Sequence, residues 1–137
     1  MSSRLNPYVS FSDNARQAME FYKGVFGGTL TMNTFGEFGA QDSPDADKIM
    51  HSQLEGDQGF VLMGADTPTG MDYSPGNNIA VSLSGEDAEE LRGYWQKLSE
   101  GGIVSVPLEV QMWGDEFGMC VDQFGVPWMI NIAQQQS

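Results

Sequence analysis

Apolar and polar residues alternate along several short segments of the chain, and each half also contains one stretch with helical spacing. Residues 7–11 alternate and predict a first strand, after which Ser12, Asp13 and Asn14 are suited to cap a helix. Apolar residues then recur three and four positions apart up to the glycine pair Gly27-Gly28, which predicts a helix and its end. Three further strands are predicted at residues 29–35, 49–54 and 60–63.

The second half of the chain restates this order. Residues 80–84 repeat the alternation of residues 8–12, and a second helix, predicted to be capped by Ser84, ends at another glycine pair, Gly101-Gly102. The apolar face of this helix is predicted to carry Ala88, Leu91, Trp95 and Leu98. Strands are predicted at residues 104–110, 116–121 and 127–132. The pattern therefore predicts two βαβββ modules, at residues 5–68 and 77–134, within one α+β domain that covers residues 1–137.

Two segments rich in glycine, proline and polar residues interrupt the pattern. Residues 36–48 are expected to form a mobile loop between strands, and residues 66–77 a linker between the modules. Two modules of this kind pair their sheets into a curved, incomplete barrel with two outer helices. We expect a small ligand to bind in the cleft of such a barrel.

The net charge of the chain limits the classes of partner that we expect it to bind. Six Lys and Arg residues stand against 19 Asp and Glu residues, a net charge of −13, which disfavours nucleic acid and anionic lipid. The opening residues lack the apolar region of a signal peptide, and no apolar stretch reaches the length of a membrane span. The single cysteine, Cys120, excludes a disulfide within the chain and is expected to be a buried apolar residue. We expect a cytoplasmic protein.

Several motifs in this order resemble the vicinal oxygen chelate superfamily, which includes glyoxalase I, extradiol dioxygenases and bleomycin-resistance proteins. The opening Asn6-Pro-Tyr-Val-Ser-Phe and the later Phe21-Tyr22-x-x-Val25-Phe26-Gly27-Gly28 resemble its PhnB-like branch. So do His51 in the third strand and the block from Trp113 to Trp128, with Phe117-Gly-Met and Asp122-x-Phe-Gly-Val-x-Trp. The resemblance covers nearly the whole chain and implies the glyoxalase/bleomycin resistance fold, with two chains commonly paired as a homodimer.

Some PhnB-like sequences carry a label that refers to demethylubiquinone methyltransferases. Transfer of a methyl group from S-adenosylmethionine usually requires a glycine-rich loop between a parallel strand and a helix. Neither Gly36-x-x-Gly39 nor Gly114-x-x-x-Gly118 has that predicted context. The sequence therefore argues against methyl transfer.

The resemblance also implies four strand positions at which metal-dependent members place His, Gln or Glu. Here these positions fall at Asn6 or Pro7, Met63 or Gly64, Asn78, and Met129. Asn is a weak metal ligand and the Met thioether is a soft one. These residues are therefore poorly suited to hold a divalent ion that must keep coordination sites open for the oxygen atoms of a substrate. We predict no cofactor and no metal at this site.

His51 is the one candidate for acid–base chemistry, since it is the only histidine and shares a strand face with Gln53. A structural role for this histidine is the alternative, and the fold is able to bring Asp115 or Glu116 towards it. Trp113, Phe117 and Trp128 are candidates to line an aromatic cleft, or else to pack in the core. The full set of candidate cleft residues is Tyr8, His51, Gln53, Met63, Asn78, Trp113, Phe117 and Trp128.

Three functions remain open from the sequence. The first is a small-molecule binding protein that works without the usual metal. The second is a glyoxalase- or dioxygenase-like enzyme that holds a divalent metal through non-standard ligands, with His51 among them. The third is a dimer that sequesters or regulates a partner, for which an exposed apolar patch would be the sign.

Overall fold

The structure is a computed structural model that describes residues 3–134. The chain divides into two compact units, residues 1–75 and residues 76–137, which we call unit 1 and unit 2. The division falls within the glycine- and proline-rich segment that the sequence predicts as a linker, where the pattern of alternating residues is interrupted. Each unit is built around its own sheet.

Unit 1 places one helix against a four-stranded sheet. Its elements are β1 (Tyr8–Phe11), α1 (Ala15–Phe26), β2 (Thr29–Thr34), a short 3₁₀ helix (Gly36–Phe38), β3 (Ile49–Glu55) and β4 (Val61–Asp66). The strand order is β1-β4-β3-β2, with β1 parallel to β4 and the other neighbours antiparallel.

Unit 2 has the same architecture. Its elements are β5 (Val81–Gly85), α2 (Ala88–Ser99), β6 (Ile103–Val110), β7 (Glu116–Val121) and β8 (Pro127–Ile132). The order β5-β8-β7-β6, with β5 parallel to β8, matches that of unit 1 strand for strand. The predicted tandem βαβββ order is therefore confirmed over the residues that the structure describes.

One face of the unit 1 sheet is covered by α1 and the other is open. Alternation along β3 separates the two faces, because Ser52 and Leu54 are buried beneath the helix while His51 and Gln53 point the opposite way and are half-exposed. We call the side opposite α1 the open face of unit 1. The burial of α1 follows its apolar spacing and involves Ala15, Ala18, Met19, Tyr22, Val25 and Phe26.

The helix caps differ from those that the sequence predicts. Asn14 precedes α1 but makes no capping bond with its side chain, and the free N–H of Ala15 instead donates to Asp66 at the end of β4, at 2.9 Å. In unit 2 the capping residue is Asp87 rather than Ser84, since the Asp87 carboxylate accepts from the N–H of Glu90 at 3.1 Å.

Several other boundaries also change. The strand predicted at residues 60–63 extends to Asp66, because the part of β4 from Met63 onwards pairs with β1. The strand predicted at residues 29–35 ends at Thr34. Helix α2 buries Tyr94 with Leu91 and Leu98, whereas Trp95 is only half-buried. Among the described residues, neither helix has the length and apolar character needed to cross a membrane.

The segment 36–48 is more ordered than the mobile loop that its composition predicts. Its ends are joined by backbone hydrogen bonds from Phe35 to Lys48 and from Gly36 to Ala46. Asp45, near its end, accepts hydrogen bonds from the backbone N–H and the hydroxyl of Thr69, at 2.9 and 2.6 Å. Local side-chain bonds of this kind are not visible in composition.

Candidate functional site

The open face of unit 1 gathers four of the residues that the sequence singles out. Tyr8 on β1 pairs with Met63 on β4, and Met63 pairs with Gln53 on β3, so these three residues form one row across the sheet. His51 lies two positions before Gln53 on β3 and points to the same side. Tyr8, His51, Gln53 and Met63 therefore share one surface although they come from three strands.

Tyr8 and His51 are in direct contact on this surface. The Tyr8 hydroxyl lies 3.2 Å from His51 Nδ1, and the two ring centroids are 5.7 Å apart at an interplanar angle of 33°. Desolvation raises the pKa of Tyr8 above its ordinary value, so the phenol keeps its proton at neutral pH. The contact therefore joins a protonated hydroxyl to a ring nitrogen whose role depends on the tautomer.

Polar side chains from β2 and β3 complete the face, and the sequence analysis did not select them. Gln53 Nε2 donates to Glu55 Oε1 at 3.0 Å, while Asn33 pairs with His51 across the two strands. Thr31 pairs with Gln53 in the same manner. The alternation of Thr29, Thr31 and Asn33 with apolar residues in β2 is the sequence signal from which the β2 members could have been found. The surface presents both donors and acceptors to a ligand.

The remaining candidates lie in unit 2 or in the segment before β5. The rings of Trp113 and Phe117 meet edge to face with centroids 6.0 Å apart, and Trp113 is 62% exposed. Asn78 is exposed and precedes β5 in an irregular segment. Trp113 and Phe117 therefore form a small aromatic surface at the β6–β7 turn. Asn78 lies far from this pair in the sequence.

Trp128 has a packing role, so it is removed from the ligand-contacting set. Its side chain is 2% exposed, and its indole N–H donates to Asp122 Oδ2 at 2.8 Å. The other Asp122 oxygen accepts from the N–H groups of Phe124 and Val126. Asp122 thus organises the β7–β8 turn, and of the two alternatives that the sequence left for Trp128 the structure selects the core.

Asp115 and Glu116, which the sequence offered as companions for His51, both have partners within unit 2. Asp115 accepts from the Asn131 amide at 3.0 Å, and Glu116 forms an ion pair with Arg92 that lowers the pKa of Glu116. Cys120 is buried, and desolvation raises the pKa of its thiol to about 11. An acidic thiol of the reactive kind is therefore absent from β7.

A cavity of about 550 Å³ lies at the start of α2 in unit 2. Its lining includes Asp87, Arg92, Glu116 and Ile132. The charges of Arg92 and Glu116 neutralise each other, and Asp87 is engaged as the helix cap. Three charged side chains of this cavity are therefore engaged in structural bonds, and Glu86 and Gln134 also line it.

Two of the four positions that the resemblance implies for a metal can be placed on their strands. An added Cβ at Gly64 would lie 2.9 Å from Phe11 and 3.2 Å from Met19, so this position faces the core and Met63 takes the open side. Met129 pairs with Met119 and Ser82. Within residues 3–134, no group of three or more His, Cys, Asp and Glu side chains is arranged around a common point.

Solved structures with the same fold define the class of protein. Protein PA1353 from Pseudomonas aeruginosa is 37% identical, with a TM-score of 0.84 over 98% of this chain and 100% of that one. A putative 3-demethylubiquinone-9 3-methyltransferase, PhnB protein, from Bacillus cereus is 21% identical (TM-score 0.77, 96% and 100% covered). A glyoxylase/bleomycin resistance protein/dioxygenase domain from Frankia sp. EAN1pec is 12% identical (TM-score 0.66, 98% and 99% covered). The predicted glyoxalase/bleomycin resistance fold is confirmed.

A family model described as 3-demethylubiquinone-9 3-methyltransferase matches residues 3–131. The chain belongs to this family, and the resemblance to the PhnB-like branch is confirmed. S-adenosylmethionine, the methyl donor that the description implies, does not fit either of the two glycine pairs that the sequence offers. Gly36 and Gly39 flank a 3₁₀ turn, and Gly114 and Gly118 lie at the β6–β7 turn and within β7, so neither pair joins a parallel strand to a helix.

Proposed function

We propose that this protein binds a small molecule on the open face of unit 1, without the metal site usual in its superfamily. The observation that carries the proposal is the convergence of Tyr8, His51, Gln53 and Met63 from three strands onto one half-exposed surface. A few convergent polar groups beside apolar surface are typical of ligand sites. The flexible Met63 thioether fits this role because methionine adapts to ligands of different shape.

A thermal-shift screen tests the proposal, with metals, aromatic antibiotics, phosphonates and glutathione adducts as the probes. At least one organic compound is expected to raise the melting temperature, since a ligand that binds only the folded state stabilises it. Replacing Gln53 with Ala is expected to weaken that compound's binding by about threefold to tenfold, the value of one hydrogen bond.

The matched control is Gln96→Ala, which removes the same side chain from the exposed surface of α2. This variant is expected to bind the compound as the unmodified protein does. Equal binding by the Gln53 and Gln96 variants would remove the open face of unit 1 from the proposal. A screen in which no organic compound stabilises the protein would contradict small-molecule binding itself.

A metal-dependent enzyme of glyoxalase or dioxygenase type is the alternative, and His51 is the observation that favours it. An imidazole is a common metal ligand, and Nε2 of His51 has no hydrogen-bond partner among the described residues of unit 1. Tight stoichiometric uptake of nickel, zinc or manganese by the purified protein, lost in His51→Gln, would favour the enzyme. Our proposal expects no such uptake.

We also propose that the protein is a cytoplasmic homodimer. Its single thiol suits a reducing compartment, and strand β6 and the turn after it expose Ile103, Val110 and Met112, which are 71%, 64% and 101% exposed. A second copy of the chain would cover such an edge. Sedimentation of a strictly monomeric species at micromolar concentration would contradict the dimer.

A further inference from the structure

The acidity and basicity of the two groups decide which of Tyr8 and His51 donates the hydrogen bond between them. A hydrogen bond at 3.2 Å is formed either by the phenol O–H donating to Nδ1 or by Nδ1–H donating to the phenol oxygen. Phenol is the better acid of the two donors, since its ordinary pKa is about 10, and a neutral imidazole nitrogen is far more basic than a phenol oxygen. The stronger donor paired with the stronger acceptor is the O–H···N arrangement.

The rest of the face supports this direction. Desolvation keeps Tyr8 protonated, so its hydroxyl is able to donate at neutral pH. The carboxylate on this face, Glu55, is engaged by Gln53 Nε2 at 3.0 Å and lies four positions beyond His51 on β3. The donor to Nδ1 is thus the Tyr8 hydroxyl, and the proton of the neutral ring then resides on Nε2.

We infer that Tyr8 is a positioning residue that fixes His51 as an Nε2–H donor, so that the open face of unit 1 selects a neutral carbonyl group in its ligand. This inference rests on the proposed function and names its ligand chemistry. Gln53 adds a second donor and an acceptor beside His51, because only one N–H of its amide is used by Glu55 and its oxygen remains available. Ketones and amides supply the matching acceptor oxygen.

Charge explains why the carbonyl is a neutral one. Glu55 contributes a negative charge to the same face as His51, and the chain as a whole carries a net charge of −13. A carboxylate or phosphate ligand would be repelled by these charges. An uncharged ketone or amide avoids this repulsion.

The tautomer of His51 can be measured in the protein without a ligand. Its ring nitrogen signals are unambiguous because His51 is the only histidine of the chain. Protein labelled with ¹⁵N-histidine is expected to show, at alkaline pH, a protonated Nε2 and an unprotonated Nδ1 in long-range ¹H–¹⁵N correlation spectra. Tyr8→Phe is expected to yield a mixture of both tautomers. Tyr73→Phe, at a tyrosine that is 40% exposed in the segment before unit 2, is the matched control and is expected to leave the spectrum unchanged.

Ligand selectivity is tested with acetophenone and ethylbenzene, which differ in the replacement of the carbonyl by a methylene group. Acetophenone is expected to bind the unmodified protein about fivefold more tightly and to shift the Nε2 signals, as one added hydrogen bond implies. Tyr8→Phe is expected to reduce that preference, and benzoate is expected to bind more weakly than acetophenone. Circular dichroism confirms that each variant is folded.

A protonated Nδ1 in the unmodified protein, or a spectrum that Tyr8→Phe leaves unchanged, would overturn the role given to Tyr8. Equal affinity for acetophenone and ethylbenzene would overturn the ligand class. Both failures differ from failure of the proposed function, which would appear as an absence of any binding compound in the screen. A compound that binds through Gln53 without a carbonyl would leave the proposed function intact and overturn only this inference.

Discussion

The carboxylate of Asp66 joins three parts of unit 1 through two backbone hydrogen bonds. One oxygen accepts from the N–H of Ala15 at the start of α1, at 2.9 Å, and the other from the N–H of Ile49 at the start of β3, at 2.8 Å. Asp66 is 5% exposed, so water has little access to replace these bonds. The residue thereby holds the beginning of the helix and the end of segment 36–48 against β4.

Replacing Asp66 with Asn is expected to lower the free energy of unfolding by about 1–3 kcal/mol, because an amide retains one acceptor and leaves the other buried N–H without a partner. Urea unfolding followed by circular dichroism measures the change. The control is Asp42→Asn, at an exposed position of the same segment, where a change within about 0.5 kcal/mol is expected. Similar destabilisation by both variants would contradict the assigned bonds.

The residues that best identify the family are structural in this chain. Asp122 and Trp128 belong to the C-terminal block that carries the resemblance, yet they form a buried hydrogen bond of 2.8 Å and define a turn. By contrast, His51 and Tyr8 lie on an open surface and have polar groups available to a ligand. A conspicuous motif in a sequence therefore does not by itself mark a binding site.

In unit 1 the turn after α1 passes so close to the end of strand β3 that only glycine fits there. Gly28, which has a φ of +90°, has no room for a Cβ because that atom would overlap the carbonyl oxygen of Glu55. Gly102 meets the carbonyl oxygen of Val121 in the same way in unit 2. The two glycine pairs that end the helices are therefore also the points at which the backbone of each unit passes close to a strand.

Gly28→Ala is expected to destabilise the protein by about 2–4 kcal/mol, since it adds overlap with the backbone to the strain of a positive φ. Gly39→Ala is the matched variant, because Gly39 has a φ of +101° but open space where its Cβ would be. It is expected to cost only about 1 kcal/mol. Thermal unfolding of the two variants compares these costs, and equal costs would show that close approach is not what requires Gly28.

The ends of the strands were predicted well where apolar and polar residues alternate regularly, and less well where pairing with another strand determines the strand length. Strands β7 and β8 begin and end where the pattern places them, whereas the extension of β4 through Gly64, Ala65 and Asp66 depends on its parallel partner β1. The α1 cap comes from Asp66, 51 residues beyond Ala15, and no local signal announces it. Period-two alternation is a local property, but caps and strand length are set by tertiary contacts.

The candidate site was predictable to the same extent. A shared face for His51 and Gln53 follows from their spacing of two within a strand. The contact of His51 with Tyr8, 43 residues away, follows only from the order β1-β4-β3 within the sheet. The burial of Trp128 was undecidable because large aromatic residues at strand spacing occur both in cores and in binding surfaces.

Taken as a whole, the molecule is strongly acidic, and Asp45 shows how one of its carboxylates is stabilised. Hydrogen bonds from Thr69 and then from Lys48 lower the pKa of Asp45 to about 2. The salt bridge to Lys48 measures 2.9 Å, and the same lysine reaches Asp13 at 2.8 Å. Ionised Asp45 therefore stabilises the folded chain. Its hydrogen bonds to Thr69 connect segment 36–48 to the residues after β4.

Acid is expected to remove this contribution. The pKa of Asp45 is lower in the folded chain than its ordinary value of about 3.9 in an unfolded one. Its contribution is therefore complete above about pH 4 and is lost as the pH falls towards 2. The difference in urea midpoint between the unmodified protein and Asp45→Asn is expected to shrink over that interval. Asp47→Asn, at an exposed neighbour, should show no comparable narrowing, and a constant difference for Asp45→Asn would contradict the assignment.

The binding account is tested most directly by mapping where the compound with the largest thermal shift contacts the protein, using NMR chemical-shift changes on the full chain. We expect the largest changes at Tyr8, His51, Gln53 and Met63. Changes confined to the α2 cavity at Arg92, with none on the open face of unit 1, would contradict the account.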